Sequence, residues 1–428
     1  MIRGFMKTTS LTTLVAAAGL LMGNFAYAPA RAADLGGGCC ADLEERVAEL
    51  EATTARKGNR VVSLQVYGQV NKALLIWDDG EDSDAFVVDN DNSGGRVGFT
   101  GSAKMKPGWT AGYLIELDIQ DAASDQIDND RVNILSTATP GVDDPADQIT
   151  IRYNNVYIES ERLGRLTLGQ ASTAADGAYE VVLGNSLRNS GIDHGSSLVV
   201  VTSAGLSTFR LQDYVSDFDS SRDDVVRYDS PSIYGFIVSA SWGDNDYADL
   251  ALRYKNEWNS IRVAAAIAYQ WDSSNDAYTT TAIALAPGRA FANSDFEAFG
   301  GSISVMHVPT GIYGAFAAGS KEFSDSDSDL DATFWYVQLG FERKLLPYGT
   351  TTVYGEWGQY DDALTLFDPL VSSSEADRWG LGIVQKFDSA AMEIYGQATF
   401  WSFDAVRSGD ALDLEDMSTV MIGSRIKF

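Results

Sequence analysis

The sequence predicts an all-β protein: a transmembrane antiparallel β-barrel of about sixteen strands behind a short N-terminal periplasmic helix or coiled coil. Three observations predict it. The first is the closing stretch, residues 418–428, where Phe428, Ile426, Ser424, Ile422 and Val420 alternate with Lys427, Arg425, Gly423, Met421 and Thr419. A strand sends these two sets to opposite faces. Alternation alone fits a soluble sandwich as well as a barrel. Phe428, however, lies in phase with the apolar face at the very end, so the strand must close against another or leave an open edge. The second observation is a rhythm of strand, short turn, strand and long acidic loop that holds from Val62 onwards. The third is the placement of aromatics at segment ends. Trp109, Tyr228, Tyr234, Trp258, Tyr348 and Phe387 sit by short turns; Trp77, Trp242, Trp271, Phe323, Tyr360, Trp379 and Trp401 sit by long loops. Two belts at two membrane interfaces are the expected outcome.

Taken in order, residues 1–32 read as a secretory signal peptide. Arg3 and Lys7 precede an apolar run over 11–22, and Ala30-Arg31-Ala32 supplies an A-x-A cleavage site. The apolar run is short of the ~20 residues a membrane span needs. Cys39 and Cys40 are neighbours, with Cα atoms ~3.8 Å apart, below the usual disulfide range of ~4.4–6.8 Å. Bonds between chains or free thiols are expected there. Within 33–60, Leu43, Val47, Leu50 and Thr54 recur at alternating spacings of four and three, a heptad seam edged by Glu44, Glu45, Arg46, Glu49 and Glu51. About two heptads are marginal alone, so this helix is expected to hold copies together that the barrel already brings close. Residues 56–60 form the hinge into the barrel, 61–428.

Strands begin at Val62. Leu64, Val66, Val70, Leu74 and Ile76 share one face; Ser63, Gln65, Tyr67, Gln69 and Asn71 share the other. Later segments alternate as well: Trp335, Val337, Leu339 and Phe341 oppose Tyr336, Gln338, Gly340 and Glu342, and Met392, Ile394, Ala398 and Phe400 oppose Glu393, Gln397 and Thr399. Residues 149–160 fit worst, because Asn155 falls in phase with Ile151, Tyr153 and Tyr157; a β-bulge would restore the phase. Short turns are expected at 106–108, 161–164, 230–235, 256–259, 308–311, 346–349 and 388–390. Long acidic connections are expected at 78–92, 120–148, 171–224, 272–295, 322–331, 361–376 and 403–415.

Net charge is -29, which argues against nucleic acid as a partner. His194 and His307 are the only imidazoles, and no Ser/His constellation stands out, so an enzyme is not expected. Asp89-x-Asp91-x-Ser93-Gly94 imitates the start of a Ca²⁺ loop, but Thr100 stands where a bidentate Glu belongs. No metal or cofactor is expected. The alternating Asp325, Asp327, Asp329 and Asp331 read as a solvated tip, with cation bridging to lipid as the rival reading.

Arg227-Tyr228-Asp229-Ser230-Pro231, Gly95-Arg96-Val97-Gly98-Phe99-Thr100-Gly101 and Leu163-Gly164-Arg165-Leu166-Thr167-Leu168-Gly169-Gln170, with the terminal Phe, resemble the turn and strand motifs of Gram-negative porins. The leader helix and Cys pair are similar to the alphaproteobacterial branch. The resemblance implies a homotrimer in the cell outer membrane whose sixteen-stranded barrels pass small hydrophilic solutes and ions by passive diffusion. It implies that Phe428 is read by the barrel-insertion machinery, and that the leader helix, with Leu43, Val47 and Leu50, sits at the trimer axis. It also implies that the loop over 171–224, after the fifth strand, folds inward and narrows the pore. On that reading Asp176, Glu180 and Asp193 face Arg96, Arg152 and Arg227 across the constriction, with Arg222 and Arg253 adding to the basic side. Lipopolysaccharide, bridged by divalent cations, is a further expected partner. A solute-specific channel and a structural or adhesive barrel with a plugged lumen are the competing readings. Acidic loops at the outer mouth predict modest cation selectivity that fades as salt screens them, over a Debye length of ~8 Å at physiological ionic strength.

Overall fold

A computed structural model describes residues 61–428 except 128, 130–148, 187–196, 204–208, 216–217, 221, 244–245, 274–294, 326–327, 367 and 369. The expected signal peptide, the Cys pair and the heptad residues Leu43, Val47 and Leu50 lie outside the described residues, as do Asp193 and His194.

Sixteen antiparallel strands close into one barrel. They are β1 (Gln65–Asp78), β2 in two segments (Ser83–Asp89 and Arg96–Lys106), β3 (Trp109–Ile119), β4 (Ile149–Ser160), β5 (Gly164–Ser172), β6 (Arg222–Asp229), β7 (Phe236–Gly243), β8 (Ala248–Trp258), β9 (Ile261–Asp272), β10 (Asp295–His307), β11 (Ile312–Asp325), β12 (Ser328–Leu346), β13 (Gly349–Asp361), β14 (Val371–Phe387), β15 (Met392–Arg407) and β16 (Met417–Lys427). Closure is made by β16 on β1, in register from Gln69↔Lys427 to Asp78↔Ser418. The alternation read from the sequence holds: Val66, Val70 and Leu74 are exposed outside, while Gln69, Asn71, Ala73 and Leu75 are buried inside. This inverts a soluble protein. The exposed apolar set faces lipid, and the polar set faces the lumen.

The misfit on β4 is a bulge. Glu116 pairs with Tyr153 and Leu117 with Ile151, so Arg152 is the extra residue. It moves Asn155 to the buried inner face, and Ile149, Ile151, Val156 and Ile158 all stay outside. Three expectations change. Residues 78–92 are not one long loop: β1 turns tightly into the first segment of β2, which breaks at the 3-10 turn Asp91–Ser93 before resuming at Arg96. The strands on the β11–β12 side also run past the expected loop at 322–331. The turn expected at 256–259 is Asn259-Ser260, both with positive φ (47° and 65°), as a two-residue hairpin needs. Trp242, Trp258, Trp271, Tyr348 and Trp379 are exposed outside, as belts require, but Trp77, Tyr360 and Trp401 turn inward and are buried.

Five inner tyrosines each stand directly opposite a glycine on the adjacent strand: Tyr67/Gly98, Tyr157/Gly112, Tyr313/Gly340, Tyr354/Gly382 and Tyr395/Gly423. A Cβ on Gly382 would come 2.2 Å from the Tyr354 ring. Each ring therefore lies flat on the wall and replaces the missing side chain, which fixes register without filling the lumen.

Candidate functional site: the lumen wall and its inward loop

The connection between β5 and β6 folds into the barrel, as expected of the loop after the fifth strand. Its first part is hung on the inner wall by polar side chains. The Asp249 carboxylate accepts from the Ala174 N–H (3.1 Å), the Ala175 N–H (2.6 Å), the Tyr247 hydroxyl (3.0 Å) and the Ser241 hydroxyl. The loop then crosses to β10 and β12. Ser302 Oγ accepts from Val181 N–H and donates to the Ala178 carbonyl, Ser304 Oγ accepts from Leu183 N–H, and the Glu342 carboxylate accepts from Asn185 N–H at 2.7 Å. Small hydroxyl residues in strand positions that face inward thus satisfy loop backbone that would otherwise be buried without partners.

The return part carries apolar residues. Leu198, Val200, Phe209, Leu211, Tyr214, Val215 and Phe218 join inner-wall residues of β1, β8, β9 and β11–β16 in one buried cluster. Phe218 lies 4.6 Å from Phe334 and Tyr214 lies 4.9 Å from Phe403, ring centre to ring centre. This cluster is why Trp77, Tyr360 and Trp401 face inward. The loop's rim is tied to two other outer connections: Ser197 N–H donates to the Asp125 carbonyl, and Glu415 N–H donates to the Val201 carbonyl. Asp125 is itself half-buried beside Asp91 and Asp118, and desolvation first, then those charges, push its carboxyl up to about 7. Below the apolar cluster, Arg378 and Glu356 are both 0% exposed and 3.9 Å apart, with Tyr336, Trp401 and Tyr360 around the guanidinium.

Among the described residues no wall residue of β3–β7 is in that cluster. This side carries the arginines. Arg152 lies 3.0 Å from Glu116 and 3.7 Å from Asp118, and Arg96 lies 3.6 Å from Glu116. The Tyr67 hydroxyl donates to the other Glu116 oxygen at 2.6 Å. Arg152 and Arg222 both stand 5.9 Å from the Tyr153 ring. Arg227 pairs with Asp229 at 2.8 Å and donates to the Ser172 and Thr173 carbonyls, where the loop begins. Arg253 donates to the Asp176 carbonyl at 2.8 Å. Asp176 and Glu180 both lie in the inward part of the loop, half-buried.

The structure therefore brings Arg96, Arg152 and Arg222 to one patch of wall, and Arg227 and Arg253 to the loop's entry. The acids that pair with Arg96 and Arg152 are Glu116 and Asp118 of β3, which the sequence reading did not single out. Their signal was present: both fall on the face opposite Ile115, Leu117 and Ile119, where a charge must face the lumen. Asp249, the loop's main anchor, was also missed, since a single acid at a strand start carries no pattern.

Solved structures share this architecture. The anion-selective porin of Comamonas acidovorans superposes with a TM-score of 0.57 at 16% identity, covering 86% of this chain and 100% of that one. OmpT of Vibrio cholerae, in its trimer form, gives 0.54 at 13% identity over 86% of this chain and 100% of that one. OmpF of Salmonella typhi, in complex with daunomycin, gives 0.53 at 13% identity over 87% and 99%. These likenesses are of fold. No curated protein sequence matches the chain. Residues 13–405 match the family described as Gram-negative porin. With that match over most of its length and a closed sixteen-strand barrel with an inward loop, the chain belongs to the Gram-negative porin family.

Proposed function

We propose that this porin passes small hydrophilic solutes and ions through a corridor between its inward loop and the arginine-bearing wall, and that Arg96, Arg152, Asp176, Glu180, Asp193 and Arg227 set its selectivity. That it is a channel of the outer membrane for passive diffusion follows from its family. The observation that carries the finer reading is the split of the lumen: apolar packing covers the β8–β1 side, while the arginines with Glu116 and Asp118 occupy the other. Charges across a narrow wet gap act through a short path and tune which ions pass. The acidic outer loops act over longer range and are screened by salt. Reversal potential across a KCl gradient should therefore move towards anions as salt rises. Arg96→Gln with Arg152→Gln should move it towards cations, and Asp176→Asn with Glu180→Gln towards anions. An arginine pair variant with an unchanged reversal potential would remove the corridor reading. A native barrel with no steady conductance would favour the plugged, structural reading instead.

The working assembly on this reading is a homotrimer in contact with lipopolysaccharide, inserted through recognition of Phe428. An ionic group on the outer wall supports a protein contact there. Lys72 faces outward midway along β1, pairs with Asp89 at 2.8 Å and with Asp121, and stands opposite the polar Ser424 of β16. A lysine in the middle of a lipid-facing wall costs ~2–4 kcal/mol, which a second copy covering it would offset. Crosslinking of native membranes should give trimers, and Lys72→Glu should weaken them. Monomers alone in the native protein would refute the assembly.

A further inference from the structure

The basic wall does not stop at Arg96. Towards the end of the barrel that bears the short turns, Arg425 and Lys427 of β16 follow Met421 and Gly423 on the inner face, and Lys386 of β14 follows the buried Val384 on the same face. The charges that bear most strongly on Lys427 are Arg425, Glu393, Lys386 and Arg96, three cations against one acid. Glu393 is engaged: it accepts from Arg425 through both Nε, at 3.0 Å, and the guanidinium terminus. Arg96 is committed to Glu116. One oxygen of the terminal Phe428 group accepts from Gly68 N–H at 2.9 Å. The Lys386 and Lys427 ammonium groups make no ion pair or side-chain hydrogen bond among the described residues, although Lys386 stands directly opposite Glu393 of β15.

Lys386 and Lys427, on β14 and β16, repel one another and Arg425. A sequence this acidic (net charge -29) had many carboxylates available to neutralise them. The arrangement is favourable only when an anion sits among them, and the lumen wall is where a dissolved anion can reach it. We propose that Lys386, Lys427 and Arg425 form an anion-binding site at the periplasmic end of the channel, selective for small oxyanions with two or more charges, phosphates or polycarboxylates. Ammonium groups act there as point charges that tolerate either geometry, while Arg425, held by Glu393, adds its charge. With the acidic outer mouth, the site makes the two ends of the pore opposite in sign, so multivalent anions are held at one end only.

This inference rests on the channel's orientation and not on the constriction residues, and its test separates the two. Inorganic tripolyphosphate is the probe. In planar bilayers, channels are oriented by streptavidin bound to a biotin-acceptor peptide inserted between Ser408 and Gly409, in the turn after β15. Tripolyphosphate on the periplasmic side should reduce current at a concentration about tenfold lower than on the loop side. Lys386→Gln with Lys427→Gln should abolish that difference, while Lys321→Gln, at the other end of β11, should keep it. Isothermal titration of detergent-solubilised protein gives a readout free of conductance: tripolyphosphate should bind the native protein at least about tenfold more tightly than the double variant. Unchanged heat-modifiability of the double variant certifies its fold. Block that is equal from both sides, or binding that the double variant retains, overturns the proposal.

Discussion

Deleting Phe428 should leave synthesis of the chain normal and lower the heat-modifiable, folded barrel in the membrane several-fold. Phe428 is the last rung of closure. Its N–H donates to the Gly68 carbonyl at 3.0 Å and its carbonyl accepts from Gly68 N–H at 2.9 Å. The ring is 68% exposed on the outer face and lies over Gly68, where an added Cβ would come 2.5 Å from it. Removing the residue loses two ladder bonds, each worth about 1 kcal/mol net in water and more where lipid offers no substitute. It also uncovers an outer edge on β1. Losses of this size shift abundance several-fold where unfolded chains are degraded. Recognition by the insertion machinery, proposed above, adds to the effect. Phe428→Tyr keeps the rung and the ring, and should assemble. Native levels of heat-modifiable barrel in the deletant would sink the idea.

Asp249→Ala should give a barrel that still folds but whose pore is larger and unsteady. The carboxylate is nearly buried and receives four donors, two of them the backbone N–H groups where the loop enters the lumen. Hydrogen bonds to a charged group contribute about 1.5–3 kcal/mol each, and the donors left behind are buried without partners. The wall keeps its backbone ladders, β8 to β7 and β9, although the Ser241 and Tyr247 hydroxyls lose an acceptor. Only the loop's entry is released, close to Arg227 and Arg253. Single-channel traces should show higher mean conductance with flicker, and proteases should cut near residue 174 in the folded protein. Asp249→Asn keeps acceptor oxygen and volume and should fall between. Conductance and noise equal to the native channel would show that the loop's entry does not depend on this carboxylate.

Much of this was legible in the sequence because it is local. Inside and outside follow from a two-residue period, so β1, β12, β15 and β16 could be sided from their letters, and the Asn155 misfit located the β4 bulge. Arg96 and Arg152 were assigned to the lumen by the resemblance, since Arg152 is itself the bulged residue and no period sides it. Their partners were harder to name. Glu116 and Asp118 are one strand away from each arginine's segment, and the register that brings them level, bulge included, is a property of the paired strands. Asp176 and Glu180 belong to a loop whose path depends on the hydroxyls and carboxylates of β7, β8, β10 and β12.

The sequence by itself determined the class of fold, the siding of most strands and the closing residue, since each rests on alternation, turn chemistry or chain order, while the inward loop was legible only through the resemblance to porins. Only the tertiary structure decided that the loop's return half is packed as an apolar core on the β8–β1 side, that Trp77, Tyr360 and Trp401 serve that core and not an interface belt, and that Arg96, Arg152, Arg222 and Arg227 line the opposite wall. Period-two alternation says that a residue faces the lumen. It does not say what else occupies the lumen at that height, because that depends on contacts between segments far apart in the chain.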